Sequence, residues 1–223
     1  MRRTVRSRLA FPIVVVAFGT HAHLGAAAPA GSDELLDRVW QGVQAAQKRN
    51  STWSGTVTET RTSRLFVRPV VFHGIFHASG TDKFRLEYTD PDAMRIIYSG
   101  DYLNVTTGRE KKNTEVIRVG DQVRRAQKYF SSDSSLANLK ASFNISAGED
   151  QAAYHLNLVP RSERFRQRVN YIRVDLDKGS FMLRLLEVDG KNGVNSVYRV
   201  EIESVNSPLD PKLFDLYLPQ GAR

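Results

Sequence analysis

The feature that most constrains the fold is an alternation of apolar and charged residues within residues 83–107. Phe84, Leu86 and Tyr88 would lie on one face of a β-strand, with charged side chains on the other face. An Asp-Pro-Asp turn ends this run, because proline fixes φ and lacks the N–H that a strand interior needs. A second apolar run, which contains Ile96, and a third strand-like run follow. The pattern predicts a meander of antiparallel strands with one apolar face.

The first 30 residues predict a signal peptide for export. They hold four arginines, then an apolar stretch at residues 9–19, then an Ala-Pro-Ala site that ends at Ala30. The apolar stretch is shorter than the roughly 20 residues that a membrane-spanning helix needs. General secretion is favoured over the twin-arginine route, because no hydrophobic pair follows the Arg-Arg pair. We therefore expect cleavage after Ala30, a single domain at residues 31–223, and a periplasmic location.

Composition limits the partners and the chemistry of the exported chain. The formal net charge of +8 falls to +4 once the signal segment, with four arginines and no acids, is removed. Such a mild surplus is only weak evidence for a nucleic-acid partner, which we do not expect, and it is also compatible with an anionic membrane surface. The chain has no cysteine, so it cannot form disulfides or take the N-terminal lipid of a bacterial lipoprotein. We expect a monomer that is soluble after cleavage.

Periodicity along the rest of the chain predicts mostly strands. Helical spacing of apolar residues is confined to an N-terminal segment and a mid-chain segment, at residues 32–48 and 121–143. Strands are predicted at residues 53–62, 65–78, 114–119, 154–160, 171–175, 181–188 and 195–205, besides the meander.

The predicted strand at residues 65–78 has apolar residues on both of its faces. Val71 and Ile75 share one face, three larger or branched residues share the other, and Pro69 suggests a bulge. This pattern predicts that both faces of the strand are covered.

Two separated matches indicate a family. The meander resembles a K-F-R-x-E-Y-x-x-P segment of the LolA-like periplasmic lipoprotein carriers. The matching residues are Lys83, Phe84, Arg85, Glu87, Tyr88, Pro91, Ile96, Ile97, Ser99 and Gly100. The second match consists of Y-x-L-x-L-x-P from Tyr154, I-x-V-D-L-D-x-G from Ile172 and the run L-D-P-K-L-F-D-L-Y-L-P-Q-G from Leu209. Together the matches span residues 53–221.

The resemblance implies a mainly β fold with flanking helices. We expect an open, incomplete antiparallel β-barrel of about ten or eleven strands, covered by the N-terminal helix and mid-chain lid helices. It also implies a periplasmic carrier that binds the acyl chains of lipoproteins, or of a related lipid, and carries them toward the outer membrane. An inner-membrane transporter and an outer-membrane receptor would be its membrane partners.

Two other functions stay open for the same fold. One is an envelope sensor or regulatory domain, and the other is a lipid-binding accessory protein of a lipid or pigment biosynthesis pathway. Leu86 and Leu103 stand where the carriers commonly have tryptophan, which leaves the cargo open.

The predicted site is an apolar cavity, because burial yields about 0.8 kcal/mol per CH₂ group of an acyl chain. Its candidate lining residues are Val57, Val70, Phe72, Phe76, Phe84, Leu86, Tyr88 and Ile96. The candidate lid residues are Leu136, Leu139 and Phe143, behind a serine-rich hinge at residues 131–135. A crossover helix without a gating role fits the same mid-chain segment equally well.

No motif predicts catalysis, a cofactor or a metal. The sequence has no G-x-S-x-G, no H-E-x-x-H and no phosphate-binding glycine loop. His73 and His77 would lie about 13 Å apart on a strand, too far for one ion. His155 is isolated, and a hairpin turn explains the Asp-x-Asp-x-Gly run that ends at Gly179. We therefore expect a binding protein rather than an enzyme.

Overall fold

The computed structural model describes residues 30–110, 112–119 and 136–217, with side chains from residue 33 onward. Eleven antiparallel strands form one sheet. The strands are β1 (Thr52–Ser63), β2 (Val70–Ser79), β3 (Lys83–Asp90), β4 (Met94–Ser99), β5 (Tyr102–Thr107), β6 (Asn113–Arg118), β7 (Phe143–Glu149), β8 (Ala153–Pro160), β9 (Val169–Asp177), β10 (Leu183–Gly190) and β11 (Val194–Val205). The helices are α1 (Ala30–Arg49), α2 (Leu136–Ser142) and α3 (Glu163–Arg166), with a 3-10 helix at Pro211–Phe214.

Two meanders make up the sheet, in the order β6-β5-β4-β3-β2-β1-β11-β10-β9-β8-β7. They join where β1 pairs with β11, the two longest strands. β6 and β7 are the two edges, so the sheet stays open. The predicted fold, an incomplete antiparallel barrel of ten or eleven strands with flanking helices, is confirmed.

The N-terminal helix covers the half of the sheet around β7. Its apolar stripe, which includes Leu36 and Val39, is almost fully buried. We call the core formed there the helix-covered cluster. Its buried members are Leu36, Val39, Trp40, Leu139, Phe143, Tyr154, Leu156, Leu158, Phe165, Ile172 and Leu176. Two ion pairs hold α1 over this region, Arg38 with Glu149 at 2.8 Å and Asp33 with Lys140 at 2.9 Å.

The prediction of one strand across residues 65–78 is wrong in two respects. Residues 64–69 form a loop, and β2 begins only at Val70, after the proline that lacks an N–H. The second face of β2 is not covered either, because Val71 and Ile75 are 39% and 45% exposed. Their hydrophobicity reflects β-propensity on an open face rather than burial.

The mid-chain prediction is confirmed in part. α2 ends at Ser142, and Phe143, predicted in a helical turn, instead begins β7, a strand that the sequence analysis did not predict. The other predictions for this region and for export lie wholly or almost wholly outside the described part of the chain. They are a helix at residues 121–130, a hinge at residues 131–135 and a signal peptide that ends at Ala30.

The C-terminal segment covers the outer face of β3 and β4. The 3-10 helix contacts both strands, and Phe214 within it is buried. Arg85 donates a hydrogen bond from Nη1 to the Leu213 carbonyl at 3.2 Å, and the Tyr217 N–H donates to Asn104 Oδ1. Within the described residues, no helix is long and apolar enough to cross a bilayer.

Candidate functional site

Alternate residues of neighbouring strands line up in a row of apolar side chains. Phe76 of β2 lies opposite Leu86 of β3, which lies opposite Ile96 of β4, which lies opposite Val105 of β5. Because side chains in register lie on the same face, these four form a continuous apolar strip. We call the cluster around it the N-terminal apolar face. Its buried members are Val57, Phe76, Leu86, Tyr88, Met94, Ile96, Leu103, Val105 and Val119, with Trp53, Phe72, Phe84, Tyr98, Tyr198, Val200 and Ile202 packed against them.

Seven of the eight predicted lining residues meet on this face. Val57, Phe76, Leu86, Tyr88 and Ile96 are buried members, and Phe72 and Phe84 pack against them. Val70 lies on the same side of β2, opposite Arg61, but outside the cluster.

The candidate lid residues lie in the other half of the sheet. Leu139 and Phe143 are 1% and 0% exposed within the helix-covered cluster, and Leu136 packs against it. The principal contacts of the described helices are likewise with β7, β8 and β9.

A glycine allows one tyrosine to cross its neighbouring strand. Gly74 of β2 lies between Tyr88 of β3 and Val57 of β1. A Cβ at residue 74 would lie 2.7 Å from the Glu87 carbonyl oxygen and 3.0 Å from Cδ1 of Tyr88. The missing side chain gives the ring of Tyr88 room to pass over β2 and reach Glu59 on β1.

A buried polar network stands within the apolar face. Glu59 is 1% exposed, and its Oε1 accepts from Nε and Nη2 of Arg61 at 3.0 and 2.6 Å. Its Oε2 accepts from the Tyr88 hydroxyl at 2.7 Å. The Arg61 guanidinium also lies 4.9 Å from the ring centre of Phe72, a cation–π contact. The carboxylate is therefore held by three donors, as a buried charge requires.

The surroundings keep the two nearby tyrosines neutral. Burial raises the pKa of the Tyr88 hydroxyl far above its ordinary value, and the charge of Glu59 raises it further. Burial raises the pKa of Tyr198 in the same way, again with a contribution from Glu59. Both hydroxyls therefore keep their protons and can act as hydrogen-bond donors, and that of Tyr88 donates to Glu59. The network offers a polar, hydrogen-bonding point inside an apolar surface.

Sequence reasoning missed Glu59 and Arg61, although a signal was present. Both follow Val57 at spacings of two and four, so strand periodicity places them on the apolar face with it. Charged residues in a threonine-rich strand are usually assigned to the solvent side. For that reason the burial of Glu59 and Arg61 was not predicted.

Two of the histidines, His73 and His155, pair with carboxylates. Nδ1 of His73 lies 2.7 Å from Asp90. His155 lies between Asp175, 2.8 Å from its Nδ1, and Asp150, 3.1 Å from its Nε2. His155, isolated in the sequence, therefore has two carboxylate partners in the fold. Within the described ranges, no group of three or more potential ligands could hold a metal ion.

The hairpin explanation of the Asp-x-Asp-x-Gly run is also confirmed. Oδ1 of Asp177 accepts from the backbone N–H groups of Gly179 and Ser180, at 3.1 and 2.9 Å. These bonds cap the turn between β9 and β10.

The fold and the site together define an open half-barrel whose inner face combines an apolar strip with a buried polar network. Residues 50–217 match the model of the family described as outer membrane lipoprotein carrier protein LolA. The chain belongs to this family. No curated protein sequence matches it.

Solved structures are similar at low identity. An uncharacterized conserved protein from Thermus thermophilus is 11% identical, with 86% of this chain and 96% of that one covered and a TM-score of 0.51. A LolA superfamily protein from Nitrosomonas europaea is 10% identical, with 81% and 97% covered and a TM-score of 0.40. The Pseudomonas aeruginosa MucA/MucB complex is also 10% identical, with 81% and 60% covered and a TM-score of 0.46. The similarity to the Thermus thermophilus protein shows that the two chains share a fold, and nothing about their functions.

Proposed function

We propose that this protein is a cell-envelope carrier that binds the acyl chains of lipoproteins, or of a related lipid, on the N-terminal apolar face. The observation that carries the proposal is the strip from Phe76 to Val105, on a sheet whose described helices pack mainly at its other end. The family match supports the same class of cargo. Carriage toward the outer membrane would require a donor in the inner membrane and a receptor in the outer one.

Burial supplies the binding energy in this proposal. An acyl chain laid along the strip would gain about 0.8 kcal/mol for each CH₂ group removed from water. The arrangement needs no covalent step and no cofactor, so the protein would act by binding and not as an enzyme. The network around Glu59 would give the polar end of a cargo a hydrogen-bonding partner within the apolar surface.

The first prediction compares two glutamate substitutions on opposite faces of neighbouring strands. Leu86→Glu should lower the affinity for a fluorescent fatty acid by at least about tenfold, because it places a charge where acyl chains would lie. Ile75→Glu should leave affinity unchanged, since Ile75 is 45% exposed on the outer face. A displacement assay gives the affinity, and thermal melts give the stability of each variant.

Phe84→Ser keeps the test valid if Leu86→Glu does not fold, because Phe84 is only partly buried. It should weaken binding while the melting temperature changes little. Loss of stability with unchanged binding per folded molecule would refute the binding face and leave it as ordinary core. Failure of wild type to bind any acyl lipid would refute the carrier proposal itself.

A further inference from the structure

The loop between β1 and β2 exposes three consecutive apolar side chains. Leu65, Phe66 and Val67 are 89%, 41% and 102% exposed. Single apolar residues are common on protein surfaces, but a run of three at a loop tip is not. Arg64 and Arg68 flank the run and are exposed as well. The loop therefore presents an apolar tip between two cations.

Two hydrogen bonds to Ser63 fix the start of this loop. The N–H of Phe66 donates to the Ser63 carbonyl at 3.0 Å, and the N–H of Leu65 donates to the Ser63 hydroxyl at 3.2 Å. β3 ends opposite His73, three residues into β2, which begins at Val70. At about 3.3 Å per residue, β2 therefore extends roughly 10 Å past the last paired residue of β3, and the loop that carries the tip joins β2 at the far end of this extension.

Charge is distributed unevenly between the two ends of the strands. Five strand connections share the end that carries the tip, and the β1–β2 loop is the middle one in sheet order. Their described residues include nine basic and three acidic side chains. The basic ones are Arg64, Arg68, Arg109, Lys112, Arg161, Arg164, Arg166, Arg168 and Lys191. The strand connections at the opposite end instead carry Asp82, Asp101, Asp150 and Lys178.

Four of these cations have no carboxylate partner among the described residues. In the part of the chain that the structure describes, Arg64, Arg68, Lys112 and Lys191 are exposed and form no ion pair. Unpaired surface cations gathered at one end produce a positive potential that reaches about a Debye length, roughly 10 Å in 0.1 M salt.

We propose that the β1–β2 loop and the surrounding basic connections dock the protein on an anionic lipid bilayer, with Leu65, Phe66 and Val67 inserted among the lipids. An apolar tip alone would not select a membrane, and a basic surface alone would bind many polyanions. Their combination matches an interface in which acyl chains lie beneath anionic headgroups. This surface is separate from the N-terminal apolar face, so it does not depend on the carrier proposal.

The test measures binding of the full chain, recovered from the envelope fraction, to lipid vesicles. Wild type should cosediment with vesicles of phosphatidylcholine and phosphatidylglycerol, and added salt should weaken the binding. Leu65→Ser/Val67→Ser should lower the partition coefficient at least about tenfold through loss of the inserted groups. Arg64→Gln/Arg68→Gln should lower it too and should make the remaining binding less sensitive to salt.

The matched control is Val71→Ser/Ile75→Ser, which removes two exposed apolar residues from the outer face of β2 rather than from the tip. It should bind vesicles as wild type does. Phe66→Trp adds a direct readout, because its emission should shift to the blue only with anionic vesicles. Equal loss in the control, unchanged binding of the tip variant, or a tip that mediates self-association in sedimentation would each overturn the proposal.

Discussion

At the scale of single residues, the ring of Tyr88 can cross β2 only because residue 74 has no side chain. Gly74→Ala would place a Cβ 2.7 Å from a backbone oxygen that the sheet holds in place. We expect it to lower the free energy of unfolding by about 1–3 kcal/mol, as overpacking does, and to weaken the hydrogen bond from Tyr88 to Glu59. Urea denaturation measures the change.

Gly148→Ala is the matched control for this substitution. Gly148 also lies within a strand, β7, but a Cβ there meets nothing within 4 Å. Its effect on the free energy of unfolding should be within about 0.5 kcal/mol of zero. Equal changes at the two glycines would show that the general effect of replacing glycine by alanine in a strand, and not the path of the tyrosine ring, determines the result.

The same residues show what a sequence can reveal about a site. Alternation placed Phe84, Leu86 and Tyr88 correctly on one face, because strand periodicity is a local property. The role of Gly74 and the burial of Glu59 depend on which strand lies beside which. That information is not local, so periodicity alone could not supply it.

At the scale of elements, a titratable cluster ties the β7–β8 turn to β8 and β9. The hydrogen bond that His155 donates to Asp175, and to a smaller extent the one that it donates to Asp150, raise the pKa of His155 above its ordinary 6.5. Hydrogen bonds from the backbone of Ala152 and Ala153, and then from His155, lower the pKa of Asp150 from 3.8 to about 2. The turn is therefore tied most firmly when the histidine is charged and the aspartate is ionised.

The sign of the pH dependence follows from these directions. A raised histidine pKa stabilises the fold below pH 6.5, and this contribution disappears as the pH rises through the raised value. The contribution of Asp150 is present above pH 3.8 and disappears as the pH falls toward 2. We expect the urea midpoint of wild type to fall between about pH 6 and pH 8, and His155→Gln to remove that part of the fall.

Two asparagine substitutions separate the partners of the histidine. Asp175→Asn should lower the pKa of His155 in an NMR titration more than Asp150→Asn does, because the bond to Asp175 is the larger cause. An equal shift in both variants, or an unchanged midpoint profile in His155→Gln, would contradict this account of the cluster.

Errors in predicting elements have two physical causes. The apolar run at residues 65–67 looked like part of β2, because a pattern of hydrophobicity cannot distinguish an exposed tip from a strand. β7 was missed because most of its residues after Phe143 are weak strand formers. They include Asn144, Ser146, Gly148 and Glu149. Pairing with β8 makes it a strand, which is a tertiary effect.

At the scale of the whole molecule, one face of the sheet carries both apolar clusters. Tyr198, which packs on the N-terminal apolar face, lies opposite Leu186, which packs on the helix-covered cluster. The division between them follows from where α1 and α2 lie, and a sequence pattern does not tell which strands a helix covers. The open barrel was predictable from the strand series and the family resemblance, but the two-part core was not.

The packing of α1 and α2 in the helix-covered cluster leads to a prediction about how the protein opens when it binds and releases cargo. Leu139 and Phe143 pack with Leu36 and Val39 of α1, so a lid movement of α2 would uncover both helices together. We expect amide hydrogen exchange in α1 and α2 to rise in parallel when the protein is loaded with a fatty acid, while β3 and β4 stay protected. Faster exchange in α2 alone would mean that it moves without opening the helix-covered cluster. Unchanged exchange in both helices would mean that this half of the molecule is a fixed support, and that release depends on another part of the chain.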